Sequence, residues 1–169
     1  MNDVSDQTRR RTIEWQDPQA GLAAASGLDG LGFLRAIVAG AVAPPPMARL
    51  LGLELESAEP GVAVFAVEPG EHHYNPMATV HGGLLATLCD SAMGCAILST
   101  LPPATFFTTL ELSVNYVRAA TAETGRLTCE GRVLHRGGRI ATAESKVLDE
   151  AGKLFAHATT TCMILEAKS

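Results

Sequence analysis

Only one stretch of this chain reads as a long helix, and nearly everything after it reads as strand. From Gly83 to about Leu98 the residues are small and apolar, and a single carboxylate, Asp90, interrupts them. Gly82 and Gly83 mark the start, with Asn75 and His81 just ahead. Beyond Pro102-Pro103, the runs Thr105–Val117, Arg126–His135, Arg139–Leu148 and Leu154–Leu165 are rich in β-formers and separated by turn signals. Gly137-Gly138 is read as a tight hairpin with positive φ, and Asp149-Glu-Ala-Gly152 as the next turn. Ahead of the helix, Leu51–Glu56 alternates like a strand, Glu59-Pro60-Gly61 turns, and Val62–Val67 returns. Such a sheet must bury one face, and only one helix is long and apolar enough to cover it. The expected class is α+β, a curved antiparallel sheet of about five to six strands wrapped around a central long helix.

In front of this lies a different kind of segment. Leu31, Leu34, Ile37, Val38 and Ala41 recur at helical spacing, so Asp29–Val42 is expected to form an amphipathic helix that Pro44-Pro45-Pro46 stops. Residues 1–20 are polar and read as a mobile tail. The organisation is an N-terminal extension, 1–46, with one helix, followed by a main domain, 47–169. A length of 169 residues suits one core. The net charge of −5, from 13 basic and 18 acidic side chains, argues against nucleic acid or an anionic membrane as the partner. Arg9-Arg10-Arg11 is followed by no apolar signal region, and the Arg35-containing patch Gly30–Ala43 is shorter than the ~18 residues of a membrane span. Cys89, Cys95, Cys129 and Cys162 sit in apolar runs without CxxC or metal-ligand spacing, and are read as reduced core thiols of a cytoplasmic protein.

A helix N-terminus presents unpaired N–H groups and partial positive charge, and glycines at Gly82 and Gly83 let a ligand approach that backbone. His81 and Asn75 also have plainer readings, as a helix-start hydrogen-bonder and as a turn residue before Pro76. His72-His73 beside Glu71 is read as a solvated loop and not a metal site, because neighbours on an extended segment point to opposite sides. Cys89 is set aside as a nucleophile, since its side chain points about 100° away from that of Asp90 and its helix neighbours offer no base. Arg136-Gly-Gly-Arg139 is either a plain hairpin or two guanidinium groups around a glycine turn, a pairing suited to phosphate.

Taken together, Asn75, His81-Gly82-Gly83 and Asp90, with the strand ending Ser113-Val-Asn-Tyr116-Val-Arg-Ala, resemble the hotdog-fold thioesterases of the phenylacetic-acid-degradation type over roughly Met47–Leu165. The resemblance implies a hotdog fold and hydrolysis of acyl-CoA to free acid and coenzyme A, with neither metal nor cofactor. It also implies homodimers, often paired into tetramers, with active sites between subunits. By position, Asp90 becomes the nucleophile or general base, and the Gly82 N–H polarises the thioester carbonyl. Asn75 and His81 orient the substrate. Thr109, seven residues before Tyr116, matches a residue that holds the attacking water, with Thr108 as its rival. The family places a glycine-containing turn near the nucleotide end of its ligand. Arg136, Gly137, Gly138 and Arg139 therefore join Gly83 as substrate-binding candidates.

Helical counting adds a constraint. From His81 to Asp90 the helix turns about half a turn beyond two full ones and advances about 13 Å. They are expected on opposite faces, so one chain's acid should serve the donors of a second subunit. Two other readings share the fold. One is an enoyl-thioester hydratase or dehydratase, in which an acid and a histidine converge. The other is a non-catalytic acyl-CoA-binding protein such as a repressor, for which residues 1–46 supply one helix and no helix-turn-helix. Phe106 and Phe107 are candidates for the acyl pocket.

Overall fold

The computed structural model describes residues 8–24 and 26–166. Its elements are α1 (Pro18–Ala24), α2 (Gly30–Val38), α3 (Pro46–Leu51), β1 (Leu53–Glu59), β2 (Val62–Val67), α4 (Gly82–Leu98), β3 (Thr105–Tyr116), β4 (Leu127–Arg136), β5 (Ile140–Asp149) and β6 (Leu154–Glu166). The six strands form one curved antiparallel sheet in the order β1-β2-β4-β5-β6-β3, wrapped around α4. This is the hotdog arrangement.

Close packing between α4 and the sheet follows from side-chain size. Leu85, Leu88, Cys89, Ala92 and Met93 of α4 are buried in one core with strand residues, many of them alanine: Ala141, Ala143, Ala156 and Ala158. At Gly131 of β4 even a methyl group would overlap the backbone of Ala92. The far end of the helix is tied down as well. The Ser99 hydroxyl donates to the Ala96 carbonyl at 2.6 Å and accepts from the Gly61 N–H at 2.8 Å, fixing the helix end to the β1–β2 turn. The Gly30 N–H donates to the Leu101 carbonyl, and a methyl at Gly30 would overlap the Leu98 carbonyl. The start of α2 therefore abuts the end of α4.

Several local expectations change. Asp29 caps α2, accepting from the Gly32 N–H at 2.7 Å, yet the helix ends at Val38 and not Val42 because Gly40 turns left-handed at φ 73°. The proline run starts a helix instead of only stopping one. Pro45 is the N-cap of α3 and Pro46 its first residue, where a missing N–H costs nothing. Gly52 closes α3 at φ 70°, so β1 begins at Leu53 and not Leu51. Part of the supposed 1–20 tail is helical from Pro18, while residues 1–7 lie outside the described residues. The expected turns at Gly61 and Gly152 are present, each with its glycine at φ 76°. Gly137 and Gly138 do not have the positive φ expected of them. Their hairpin is still tight, the Gly137 N–H donating to the Ile140 carbonyl at 2.9 Å across Gly138 and Arg139, and the Arg139 carbonyl is held by the Ile164 N–H of β6.

The His72-His73 segment is not a solvated extended loop. Glu71–His73 forms a 3-10 turn with the two rings 3.8 Å apart, so the side chains do not point to opposite sides. His73 is buried; its Nδ1 accepts from the Gly70 N–H and its Nε2–H donates to the Leu51 carbonyl, each at 3.1 Å. Burial first, then the neighbouring His72 and Arg11, holds the His73 pKa below the usual 6.5, against a smaller pull upward from the Leu51 carbonyl. No helix among the described residues is long and apolar enough to cross a membrane.

Two outcomes follow. Gly131→Ala forces α4 off β4 and should cost about 1–3 kcal/mol, a fall of several degrees in thermal melting, while Gly138→Ala, which meets open space, leaves the melt unchanged. The unfolded chain protonates His73 near pH 6.5 and the folded chain only at lower pH, so stability is full above that value and is lost as pH falls through it towards the folded pKa. Melting curves from pH 7.5 down to 5 should show this decline, and His73→Gln should flatten it.

Candidate active site

His81 stands just outside the helix as the N-cap of α4, with extended backbone at φ −64° and ψ 131°. Its Nδ1 accepts from the Gly83 N–H at 2.9 Å, which leaves the ring hydrogen on Nε2 as an exposed donor. A side chain at Gly83 would collide with that ring, its Cβ 2.9 Å from Nδ1. What Gly83 leaves for a ligand is therefore space, since its own N–H is taken. The Gly82 N–H has no acceptor among the described residues, as befits the first position of a helix. A Cβ at Gly82 would lie 3.1 Å from the ring of Tyr116. Beside it opens a cleft of about 370 Å³, walled by Val80, Leu85, Tyr116, Val117 and Arg118.

The loop that delivers His81 is shaped by Asn75. Its Oδ1 accepts from the N–H groups of Met77 (2.9 Å) and Thr79 (3.3 Å), and its Nδ2 donates to the Thr79 hydroxyl at 3.0 Å, leaving one amide hydrogen for another partner. Inside this loop Ala78 is held at φ 57°, a strained conformation for a residue with a side chain. Three further bonds clamp it: Val80 N–H to the Ala120 carbonyl, His81 N–H to the His73 carbonyl, and Ala122 N–H to the Tyr74 hydroxyl.

Asp90 is half-buried in the middle of α4. Its Oδ1 accepts from the Thr109 hydroxyl at 3.0 Å, and that hydroxyl also lies 3.8 Å from the Cys162 sulfur. Thr108 is exposed and makes no such contact. Just after Thr109 the β3–β6 register slips, with Leu110 as the extra residue, so alternation breaks next to the acid. Burial raises the Cys162 thiol, with the Asp90 charge adding to the effect. Burial together with Asp90 pushes Cys95 up to about 12. Cys89 is fully buried, 4.0 Å from the Cys129 sulfur. None of these thiols is poised as a nucleophile.

Three pairings fix how helix and strand run: Gly82 beside Tyr116, Asp90 beside Thr109, and Gly94 beside Phe107, where a Cβ would come within 2.6 Å of the ring. Thus α4 runs antiparallel to β3, and its donors and its acid face the same strand about 12 Å apart. This differs from the opposite-face expectation, because His81 lies outside the helix and Gly82 is the first residue to carry its periodicity. Phe107 packs against the core, while Phe106 is half exposed. The Arg136–Arg139 turn is remote from the helix N-terminus but shares a row with the acid. Thr109 pairs with Cys162, Cys162 with Ala141, and Ala141 with Arg136, about 14 Å across three strand spacings. Both arginines are exposed. No group of three or more His, Cys, Asp or Glu among the described residues could hold a metal ion.

Tyr116 and Cys162 were not singled out as site residues from sequence. Only Tyr116 carried a signal, its fixed place in the Ser113–Ala119 run. For Cys162 the strand register is needed.

Known proteins share this architecture. A model of the thioesterase superfamily matches residues 77–156. Human acyl-coenzyme A thioesterase 13 is 32% identical over 112 residues, covering 64% of this chain and 78% of that one. The 1,4-dihydroxy-2-naphthoyl-CoA hydrolase of Listeria monocytogenes serotype 1/2a (strain 10403S) is 29% identical over 105 residues, 62% of this chain and 84% of the hydrolase. A solved structure of a phenylacetic acid degradation-related protein from Ralstonia eutropha JMP134 superposes with a TM-score of 0.70 at 26% identity, covering 77% and 98% of the two chains. With its single central helix, the open N–H at Gly82 and these relatives, the chain belongs to the thioesterase superfamily and is a thioester hydrolase of the hotdog fold.

Proposed function

We propose that the chain hydrolyses acyl-CoA thioesters to free acid and coenzyme A, with Asp90 driving the attack and the Gly82 N–H receiving the developing oxyanion. The Thr109–Asp90 hydrogen bond carries the reading. It fixes Oδ1 at 3.0 Å and leaves Oδ2 to take the proton of a water that adds to the thioester carbon. The Gly82 N–H, at the positive end of α4, polarises the carbonyl oxygen, and collapse of the tetrahedral adduct expels the coenzyme A thiolate. The His81 Nε2–H and the remaining Asn75 amide hydrogen orient the substrate. The same Oδ2 could instead attack the carbon itself to give an anhydride. A single turnover in ¹⁸O-water separates the two, because only the anhydride route leaves label in Asp90. The chemistry calls on no metal or prosthetic group. A hydratase reading is weaker because the His81 ring is already committed to capping the helix through Nδ1.

The separation of Gly82 from Asp90 supports a homodimer with shared sites. β3 is an edge strand of 12 residues whose outer hydrogen-bonding row is unpaired, and it exposes Phe106, Leu110 and Tyr116. A two-fold axis crossing that edge near Leu112 would set Gly82 of the partner subunit level with Asp90. Two such dimers would pair into the tetramer common in the family. The Arg136–Arg139 turn, about 14 Å from Thr109 along one row, lies at a distance that a pantetheine arm can span. There the two guanidinium groups would hold phosphates of coenzyme A, with Gly137 and Gly138 leaving room. Four free thiols fit a reducing cytoplasm.

Asp90→Asn should lower kcat by about 10²–10⁴-fold. Thr109→Val, which loses one positioning hydrogen bond, should cost about three- to ten-fold. Wild-type turnover in Asp90→Asn would sink the assignment. Arg139→Glu should raise KM for acyl-CoA and leave kcat alone. Sedimentation should find the active species dimeric or larger, and a fully active monomer would rule out the shared site.

A further inference from the structure

A second cleft, also of about 370 Å³, lies where the N-terminal helices meet the end of α4. Its walls include Leu22 of α1, Phe33 and Ile37 of α2, Phe65 of β2, and Cys95 and Leu98 of α4. Among the described residues its charged or amide side chains are Gln16 and Asp17 alone. Folded cores leave few voids of this size, whereas ligand pockets are this large and this apolar.

Its position on α4 connects it to the chemistry. The sheet wraps most of the helix and leaves Thr87, Asp90, Ser91, Cys95 and Leu98 half-buried. Thr87, Ser91, Cys95 and Leu98 recur at intervals of three or four and form one strip along the helix, with Asp90 on its border beside Thr87 and Ser91. Asp90 itself lies outside the cleft wall. The strip leads from Asp90 to Cys95 and Leu98, which do line it. Those two residues stand about 7 and 12 Å further along the axis.

We infer that this cleft receives the far end of the substrate's acyl chain, making the enzyme selective for thioesters of medium to long aliphatic acids. The inference rests on Asp90 being the carboxylate that meets the thioester. An extended chain advances about 1.2 Å per bond, so about six to ten carbons carry it from Asp90 to the cleft. Shorter acyl groups end on the strip and gain nothing from the cleft. The N-terminal helices thereby act in substrate choice, in a part of the chain ahead of residues 77–156.

The test compares acetyl-, hexanoyl-, decanoyl- and dodecanoyl-CoA on the full chain, with two variants that fill the cleft from different walls, Ile37→Trp and Ala43→Phe. Wild-type kcat/KM should climb steeply between hexanoyl and decanoyl, by up to about four-fold per buried methylene. Both variants should lose about ten-fold or more on decanoyl-CoA while acetyl-CoA changes by less than about two-fold. A flat wild-type profile, or variants that melt like wild type and keep its decanoyl-to-acetyl ratio, overturns the cleft assignment and leaves the catalytic reading intact. Asp90→Asn is the separate arm: full turnover there removes the catalytic reading itself.

Discussion

The rest of this structure depends on how closely the sheet wraps α4, which is buried over most of its circumference. Where it touches, the contact is tight enough that Gly131 has room for no side chain and alanines carpet much of the facing strands. A helix with small, apolar residues at that contact can approach closely and gain dispersion along its length. Only a narrow strip about Thr87, Ser91 and Leu98 is left less covered, and Asp90 sits at its border against β3, half-buried and bonded to Thr109. Were that strip covered as well, a charge at this position would need a buried counter-charge.

A second constraint comes from β3, which is hydrogen-bonded on one side only. It runs antiparallel to α4 and meets both parts of the proposed site, Tyr116 at Gly82 and Thr109 at Asp90. The bulge at Leu110 lies between them. Without that extra residue, the side chains on either side of it would keep strict alternation, and Thr109 could not face Asp90 while Leu112 and Val114 also turn inward. The bulged edge thus sets the acid's partner and, by staying open, leaves a surface that a second copy can extend.

Most of the sheet was legible in the sequence because its signals are local: alternation along each strand, and glycine turns at Gly61 and Gly152. Asp90 was legible as the single acid in an apolar helix. What escaped depends on contacts distant in sequence or on competing local rules. Pro44-Pro45-Pro46 can stop one helix or open another, and only the packing of α3 decides. Gly40 ends α2 before the prolines are reached. His73 looked solvated until the Leu51 carbonyl, 22 residues away in sequence, came within 3.1 Å of its ring. Thr108 and Thr109 are indistinguishable until the strand's facing and its bulge are known. At Gly137-Gly138 the dipeptide suggested positive φ at both glycines, but neither adopts it, and the turn residues are Gly138 and Arg139, the latter held by the β6 ladder.

The division of labour along the chain follows from how much each part can vary. The donor at Gly82 requires a helix start with nothing in front of it, and Asp90 requires one strand residue at hydrogen-bond distance. Small shifts in either would remove the geometry, so the α4–β3 pair has little freedom. The second cleft has no such demand. It is built from helices of seven, nine and six residues, from prolines, and from the last turns of α4, where only volume and polarity matter. Changing Phe33 or Ile37 alters its depth and leaves Asp90, Thr109 and Gly82 where they are. Under the proposed roles, selectivity built in this way changes without rebuilding the proposed Asp90–Gly82 pair, because the cleft and that pair share only the helix on which both sit.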